Sequence, residues 1–400
     1  MTTRNWEPKA LPASMTSGEA FSPLDNELPV RWMRGLRLVR PDGLGAGRRA
    51  LFLALLTWLP IVVWAIATGR LASVDAGESL LHHYAVHVRC LVVIPLLILG
   101  EPMLHRTARQ IAARIAEVAI AGTEACERFE RAVSDVVRIR DATMPWVLVA
   151  GVAIAWSLAD APDRSQDGLA WAFDTDGSLG FGGWWFAYIV RPVFIALLCA
   201  WLWRILLVTY WFWRIGRVGL ALVPTHPDRA GGIAFVEKLP GAFALVSVAL
   251  SAVLASRWAH EIVHHGVSIL SHRSTAILFA ALWTLLLLLP LLALAPALIA
   301  TRARAIAAYG DLVGRQGALV HQRWIDGETV GDEALLDAPE IGPVADAAAL
   351  YEAVRRMRPA PIGLSSIAKI LVPLALPLLL AAALQVPLKA LLLKLLKVLA

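Results

Sequence analysis

Hydrophobic positions occur along this chain in long runs, separated by polar connections. A transmembrane helix needs about 20 mainly apolar residues. Seven runs come near that length, the last weaker than the others: 50–68, 85–104, 142–159, 184–210, 241–257, 276–300 and 370–386. The pattern predicts an all-α fold, a polytopic membrane bundle of about seven transmembrane helices with cytoplasmic helical segments.

The connections alternate in charge. Arginine is concentrated before the first run, in 105–141, and after the fourth and sixth runs, whereas 160–182 carries five aspartates and one arginine. Cytoplasmic loops of membrane proteins carry an excess of Lys and Arg. We therefore expect a multi-pass protein of the bacterial inner membrane with a cytoplasmic N-terminus. The polar N-terminal residues predict no cleavable signal peptide.

This alternation divides the chain into six parts. They are a cytoplasmic basic tail (1–49), two transmembrane helices (50–104), a cytoplasmic amphipathic helix (105–141), four transmembrane helices (142–300), a cytoplasmic helical module (301–369), and a C-terminal membrane segment with an interfacial helix (370–400).

Two cytoplasmic parts have helical periodicity. In 105–141, apolar or small residues recur at three- and four-residue steps, which predicts one long helix packing on another helix: Ile111, Ile115, Val118, Gly122, Ala125, Phe129, Val133 and Val136. In 301–369, two helices are predicted on either side of the turn-rich stretch 327–343, with Trp324 and Val354 in their apolar stripe.

The C-terminal run allows two interpretations. Pro373 and Pro377 interrupt 370–386, which suits a re-entrant hairpin as well as a seventh transmembrane helix; we favour the transmembrane helix. From Leu388 onward, lysines lie on one arc of a leucine-rich helix, a pattern typical of an interfacial helix.

Composition supports a membrane location. Hydrophobic residues make up 58% of the chain and charged residues 17%, against about 25% charged in soluble domains. The net charge is +6, but the arginines lie beside apolar runs, so we expect lipid headgroups and no nucleic acid as partners. The three cysteines have no paired spacing, which indicates neither a disulfide framework nor a thiolate metal site.

The clearest chemical motif is His260-Glu261-Ile262-Val263-His264. On a helix, the two histidines share one face, and the glutamate is placed to activate a metal-bound water. His83 and His87 form a second pair with the same spacing on the same predicted side. Together the pairs are candidate ligands for zinc, copper or a haem. The alternative is that these are ordinary interfacial residues, since so short a motif often arises by chance.

The connection after the fourth run contains His226-Pro227-Asp228-Arg229-Ala230-Gly231-Gly232. Its backbone amides near Arg229 are a candidate cradle for a phosphate or lipid headgroup. The favoured interpretation is a rigid turn, in which Asp228 caps the next helix while Gly231 and Gly232 allow positive φ.

Two charged residues fall within or at the end of apolar runs. Arg191 lies inside the fourth run, with Asp160 and Glu78 as expected partners, and Glu101 ends the second run. Charges at such depth need a partner, a cavity or contact with the interface. Structural pairing is the favoured interpretation, and an ion or substrate path is the alternative.

Several stretches together resemble a family of uncharacterised bacterial inner-membrane proteins. The His226–Gly232 stretch is the most specific, and the others are weaker: Gly100-Glu101-Pro102, Tyr309-Gly310, Trp324, Val344-Ala345-Asp346 and Tyr351 through Arg358. The resemblance implies a polytopic membrane fold and no known activity.

The sequence thus favours a non-enzymatic transporter-like or scaffold bundle, whose cytoplasmic helices bind a protein partner or form a homo-oligomer. The alternative is a metal- or haem-dependent protein at the extracytoplasmic face, such as a zinc hydrolase, with Glu261 as the catalytic base.

Overall fold

The computed structural model describes residues 45–72, 79–159, 170–173, 178–328 and 342–385. Helices account for most of them, and pairing of extended chain within these ranges is limited to one bridge between Phe173 and Leu179. We number the helices along the chain: α1 Ala46–Ala67, α2 Tyr84–Ala119, α3 Thr123–Arg140, α4 Met144–Ala159, α5 Phe181–Gly216, α6 Ala244–His265, α7 Arg273–Leu292, α8 Ala295–Trp324, α9 Gly342–Arg355 and α10 Leu364–Ala382.

Seven helical segments in the described ranges are long and apolar enough to cross a membrane. They are α1, α2, the α3–α4 segment, α5, α6 with the 3₁₀ turns before it, α7 with the short turn before it, and α10. The predicted all-α helix bundle with about seven such helices is confirmed. Many apolar side chains on its periphery are exposed, including Ile277 and Leu278 of α7, as expected of helices that face lipid.

Two of the long helices contain a π-helical turn just before a proline. The turn Arg89–Val93 precedes Pro95 in α2, and the turn Phe186–Val190 precedes Pro192 in α5. Proline has no N–H for the carbonyl four residues earlier. A π-helical turn shifts that bond by one residue, so both helices continue through the proline.

Large aromatic side chains fill the centre of the bundle. Trp201, Trp211 and Phe212 of α5 are fully buried, together with Phe243 just before α6. Their cluster includes buried residues of α2, α3 and α7. A second cluster joins α1 to the first half of α2 and to Trp171.

The contacts define two ends of the bundle. At the arginine end, the start of α1 meets the middle of α2 through Arg49 and Glu101, and the loop after α5 meets the end of α2. At the opposite end, which we call the histidine end, the turn just before α2 meets the end of α6 through His82 and His264. Helix α2 therefore runs antiparallel to α1 and to α6, whereas α2 and α5 both end at the arginine end.

The prediction of a single helix across 105–141 is wrong. The chain forms α2 and α3 with a break between them, because Ile120 is extended and Gly122 has a φ of 87°. The carbonyl of Ala119 accepts a hydrogen bond from the Ala221 amide at the break. Most of the predicted apolar seam is still buried, but Val118 beside the break is 44% exposed.

The C-terminal part of the chain forms the helices α8, α9 and α10. Helix α10 continues through Pro373 and Pro377, so it is a single helix rather than a re-entrant hairpin. The predicted helix from Leu388 onward lies outside the described residues, as does most of the stretch 327–343. The two helices predicted in 301–369 correspond to α8, which begins earlier at Ala295, and α9. They pack against each other, with Val354 buried but Trp324 exposed.

Candidate functional site

Five histidine rings gather at the histidine end of the bundle. His260 and His264 of α6 have ring centroids 4.6 Å apart. The His83 ring lies 5.7 Å from His260, and the His82 ring lies 5.9 Å from His264. His265 is 5.9 Å from His260. We call these five residues the histidine cluster; the structure thus brings together three of the four predicted metal ligands.

The fourth predicted ligand, His87, lies elsewhere. Its Nδ1 accepts a hydrogen bond from Nε1 of Trp58 at 3.0 Å, and its Nε2 lies 3.0 Å from the Leu80 carbonyl oxygen. These contacts fit a neutral ring with its proton on Nε2. Both nitrogens of His87 therefore hold α2 in place against α1 and the turn before α2.

Glu261, the predicted base, also has other partners. Its carboxylate accepts a hydrogen bond from Nε of Arg257 at 3.0 Å and lies 3.2 Å from Nε2 of His272. The His272 ring stacks on Trp258 with centroids 5.0 Å apart. The structure therefore places Glu261 in a contact between α6 and the turn before α7, and not in the histidine cluster.

Metal coordination requires that the ring nitrogens point at one common position, in addition to the spacing of the rings. Among the residues that the structure describes, no group of three or more His, Cys, Asp or Glu side chains is arranged to hold a metal ion as it stands. The histidine cluster therefore has the donors for a metal centre without a finished coordination geometry.

The predicted turn at the arginine end is built around the Asp228 carboxylate. Its Oδ1 accepts hydrogen bonds from the amides of Ala230 at 2.8 Å and Gly232 at 3.1 Å, and its Oδ2 accepts one from Ala234 at 3.0 Å. His226 Nδ1 lies 2.9 Å from Oδ1. The carboxylate fixes the turn that leads into the next helical segment, which supports the favoured interpretation of this stretch.

These contacts weigh against the phosphate cradle. The amides of Ala230, Gly232 and Ala234 already donate to Asp228. The Arg229 amide donates to the His226 carbonyl at 3.0 Å. An anion would therefore have to compete with an internal carboxylate for the same donors.

Arg358, from the far end of the chain, holds this turn in place. Its amide donates to the Arg229 carbonyl at 2.8 Å, and its guanidinium donates to the Asp228 carbonyl at 3.1 Å. The same guanidinium lies 2.7 Å from the Glu237 carboxylate. Three segments of the chain are thereby joined at the arginine end.

Gly231→Ala should destabilise the folded protein by about 1–3 kcal/mol, because a side chain at its φ of 67° is strained. The added Cβ would also lie 3.0 Å from Leu222 Cβ and 3.3 Å from Met357 Cε. The matched control is Gly314→Ala inside α8, where nothing lies within 4 Å. It should stabilise by about 0.5–1 kcal/mol. Unfolding midpoints of both purified variants test the pair, and equal midpoints would contradict the account.

Glu101 is the centre of a buried ion triad. Its Oε2 accepts a hydrogen bond from Arg49 of α1 at 2.6 Å, and its Oε1 accepts one from Arg204 of α5 at 2.9 Å. All three residues are at most 2% exposed. The triad links α1, α2 and α5 and carries one surplus positive charge.

Sequence reasoning identified Glu101 but missed both arginines. Arg49 was counted with the basic tail, and Arg204 lies inside an apolar run like Arg191. A search for the counter-charge that a buried glutamate needs would have drawn attention to Arg204.

Arg191 is buried at the other half of α5. Its guanidinium lies 5.5 Å from the centre of the Phe186 ring, on which Arg89 also stacks at 5.4 Å. Such cation–π contacts stabilise a cation away from water. The expected partners Asp160 and Glu78 lie outside the described residues.

With seven helical segments in the described residues that are long and apolar enough to cross a membrane, the fold is that of a multi-pass helical membrane protein. No protein-family model, curated protein or solved structure matches the chain.

Proposed function

We propose that this protein is a non-enzymatic scaffold of the bacterial inner membrane, and that it presents the helix pair α8–α9 to a protein partner in the cytoplasm. The N-terminus and the arginine end lie on the cytoplasmic side. The positive-inside rule supports this orientation, because the connections at that end hold most of the arginines. The histidine end then faces outward.

The observation that carries the proposal is the exposure of the α8 tip. Only Leu298 and Ala305 of this 30-residue helix are buried. Near its end, Trp324 is 68% exposed, and the following residue, Ile325, is 70% exposed. Tryptophan is among the residues that contribute most binding energy in protein interfaces.

The pair is also held in a fixed direction. The Arg302 guanidinium of α8 donates to the Arg355 carbonyl at the end of α9 at 2.9 Å. Three residues later, Arg358 binds the Asp228 turn. These contacts fix the base of α8, and a helix with a fixed base loses less conformational freedom on binding than a free segment does.

The charged residues near the end of α8 indicate the chemistry of the partner's binding surface. Arg315 and Arg323 lie near Trp324 in the chain, and so do Asp326 and Glu328. Interfaces pair an apolar centre with a polar rim of complementary charge. We therefore propose a partner with an apolar pocket bordered by polar side chains of both charges.

Cross-linking in cells tests this proposal. A photoreactive residue at position 321, whose side chain is 64% exposed, should give one discrete adduct. Trp324→Ala should lower its yield at least about tenfold, since interface tryptophans commonly contribute 2 kcal/mol or more. The control Trp184→Ala, at a 46% exposed tryptophan of the histidine end, should leave the yield unchanged. No discrete adduct, or equal loss in both variants, would refute the proposal.

A further inference from the structure

We propose that the histidine cluster binds one divalent transition-metal ion, which bridges the start of α2 and the end of α6. This inference goes beyond the scaffold function and does not depend on it. The ligands that we assign are His82, His83, His260 and His264.

The spacing of the rings is the first argument. A tetrahedral zinc ion binds imidazole nitrogens at about 2.0–2.1 Å, which places the ring centroids of its ligands roughly 5 Å apart. Three pairs among the four assigned ligands have ring centroids at such distances: 4.6 Å for His260 and His264, 5.7 Å for His83 and His260, and 5.9 Å for His82 and His264. The four rings thus form a chain in which each neighbouring pair has the spacing of a shared ion, and an ion would bind between them once their nitrogens turn inward.

The histidine side chains have room to turn their nitrogens inward. His264 is exposed and His260 and His82 are half-buried, so these three rings can rotate about the side-chain bonds without a change in the backbone. His83 is buried beside the Trp171 ring, so the other three ligands turn toward it. His260 and His264 are one helical turn apart on α6, a spacing that places two imidazoles on one face for a single ion. The second pair of ligands comes from outside that helix.

An unsatisfied nitrogen is the second, independent observation. Within the described residues, Nδ1 of His82 is buried and has no hydrogen-bond partner. Buried polar atoms of folded proteins are nearly always satisfied. A metal ion in the histidine cluster would supply this contact.

The donor set also indicates the class of metal and its role. Neutral imidazoles bind late first-row divalent ions such as Zn²⁺ and Cu²⁺. The Glu261 carboxylate is held by Arg257 and His272, so it is not placed to act as a base on a metal-bound water. We therefore assign the ion a binding and cross-linking role rather than hydrolysis.

The test is equilibrium dialysis of the purified full-length chain in detergent against zinc chloride, with an affinity tag that contains no histidine. The wild-type protein should bind about one equivalent of zinc. Zinc should also raise its unfolding temperature, because the ion binds only the folded arrangement.

Two double variants test the assigned ligands. His260→Ala/His264→Ala and His82→Ala/His83→Ala should each lower zinc affinity at least about tenfold. His321→Ala in α8, a histidine at the opposite end of the bundle, should leave the affinity unchanged. Should an alanine variant fail to fold, His260→Gln/His264→Gln keeps polar side chains of similar size and serves in its place.

Each outcome of the zinc-binding measurements either supports or overturns the proposal. Loss of zinc in both double variants, with zinc retained in the His321 variant, supports the proposal. No zinc bound by the wild-type chain, or binding that survives in either double variant, overturns it.

Discussion

Glu101→Gln should destabilise the folded protein by about 3–5 kcal/mol, a large fraction of its total stability. The change leaves Arg49 and Arg204 buried together without the carboxylate that accepts from both. Removing one member of a buried ion pair costs about 3–5 kcal/mol, and folded domains are stable by only about 5–15 kcal/mol. The yield of monodisperse protein in detergent and its unfolding midpoint measure the effect.

Two further variants make this prediction specific. Arg49→Met leaves Glu101 paired with Arg204, a neutral pair, so it should cost less than Glu101→Gln. Glu352→Gln removes a carboxylate that pairs with Arg356 on an exposed face of α9, so it should cost about 0–1 kcal/mol. If Glu101→Gln were as stable as Glu352→Gln, the triad would not hold the bundle together.

Asp228→Ala should have the second-largest effect, a loss of about 2–4 kcal/mol. The amides of Ala230, Gly232 and Ala234 lose their shared acceptor, and water replaces it only partly in a half-buried turn. Asp228→Asn should cost less, because an amide oxygen still accepts from some of these amides. Unfolding midpoints of the two variants and the wild type provide the measurement, and equal midpoints for all three would contradict the role of the turn.

The same carboxylate should make stability depend on pH. Burial alone would raise the pKa of Asp228, but hydrogen bonds from the Ala234, Ala230 and Gly232 amides and from His226 outweigh it and lower that pKa. A lowered pKa in the folded state adds stability above the ordinary aspartate pKa of about 3.9 and loses it as the pH falls through the folded value. The advantage of the wild type over Asp228→Asn should therefore shrink below about pH 4. A constant difference in unfolding midpoint from neutral to acidic pH would contradict this.

The helix bundle could be predicted because apolar runs of bilayer length identify helices without any knowledge of their neighbours. The break between α2 and α3 could not. Gly122 fits an apolar seam, since a small residue is acceptable there. Its positive φ occurs at a break where the Ala221 amide, from a distant part of the sequence, binds the Ala119 carbonyl.

Only part of the histidine cluster could be predicted, because helical spacing applies only to residues that lie inside one helix. His260 and His264 lie inside one helix, so their spacing fixes their shared face. His83 precedes the first residue of α2 and has a φ of −92° and a ψ of 72°. The pair His83 and His87 therefore does not follow helical geometry, and His82 takes the place that spacing assigned to His87.

The orientation of the two ends is the central claim, and cysteine labelling in intact cells tests it most directly. Cys90, Cys126 and Cys199 are first replaced by alanine, and a single cysteine is then introduced at Ser271 near the histidine cluster or at His321 of α8; both positions are exposed. A maleimide that cannot cross the inner membrane should label the cysteine at 271 in intact cells, and the one at 321 only after the membrane is permeabilised. Labelling of the cysteine at 321 in intact cells, with that at 271 protected, would contradict the account.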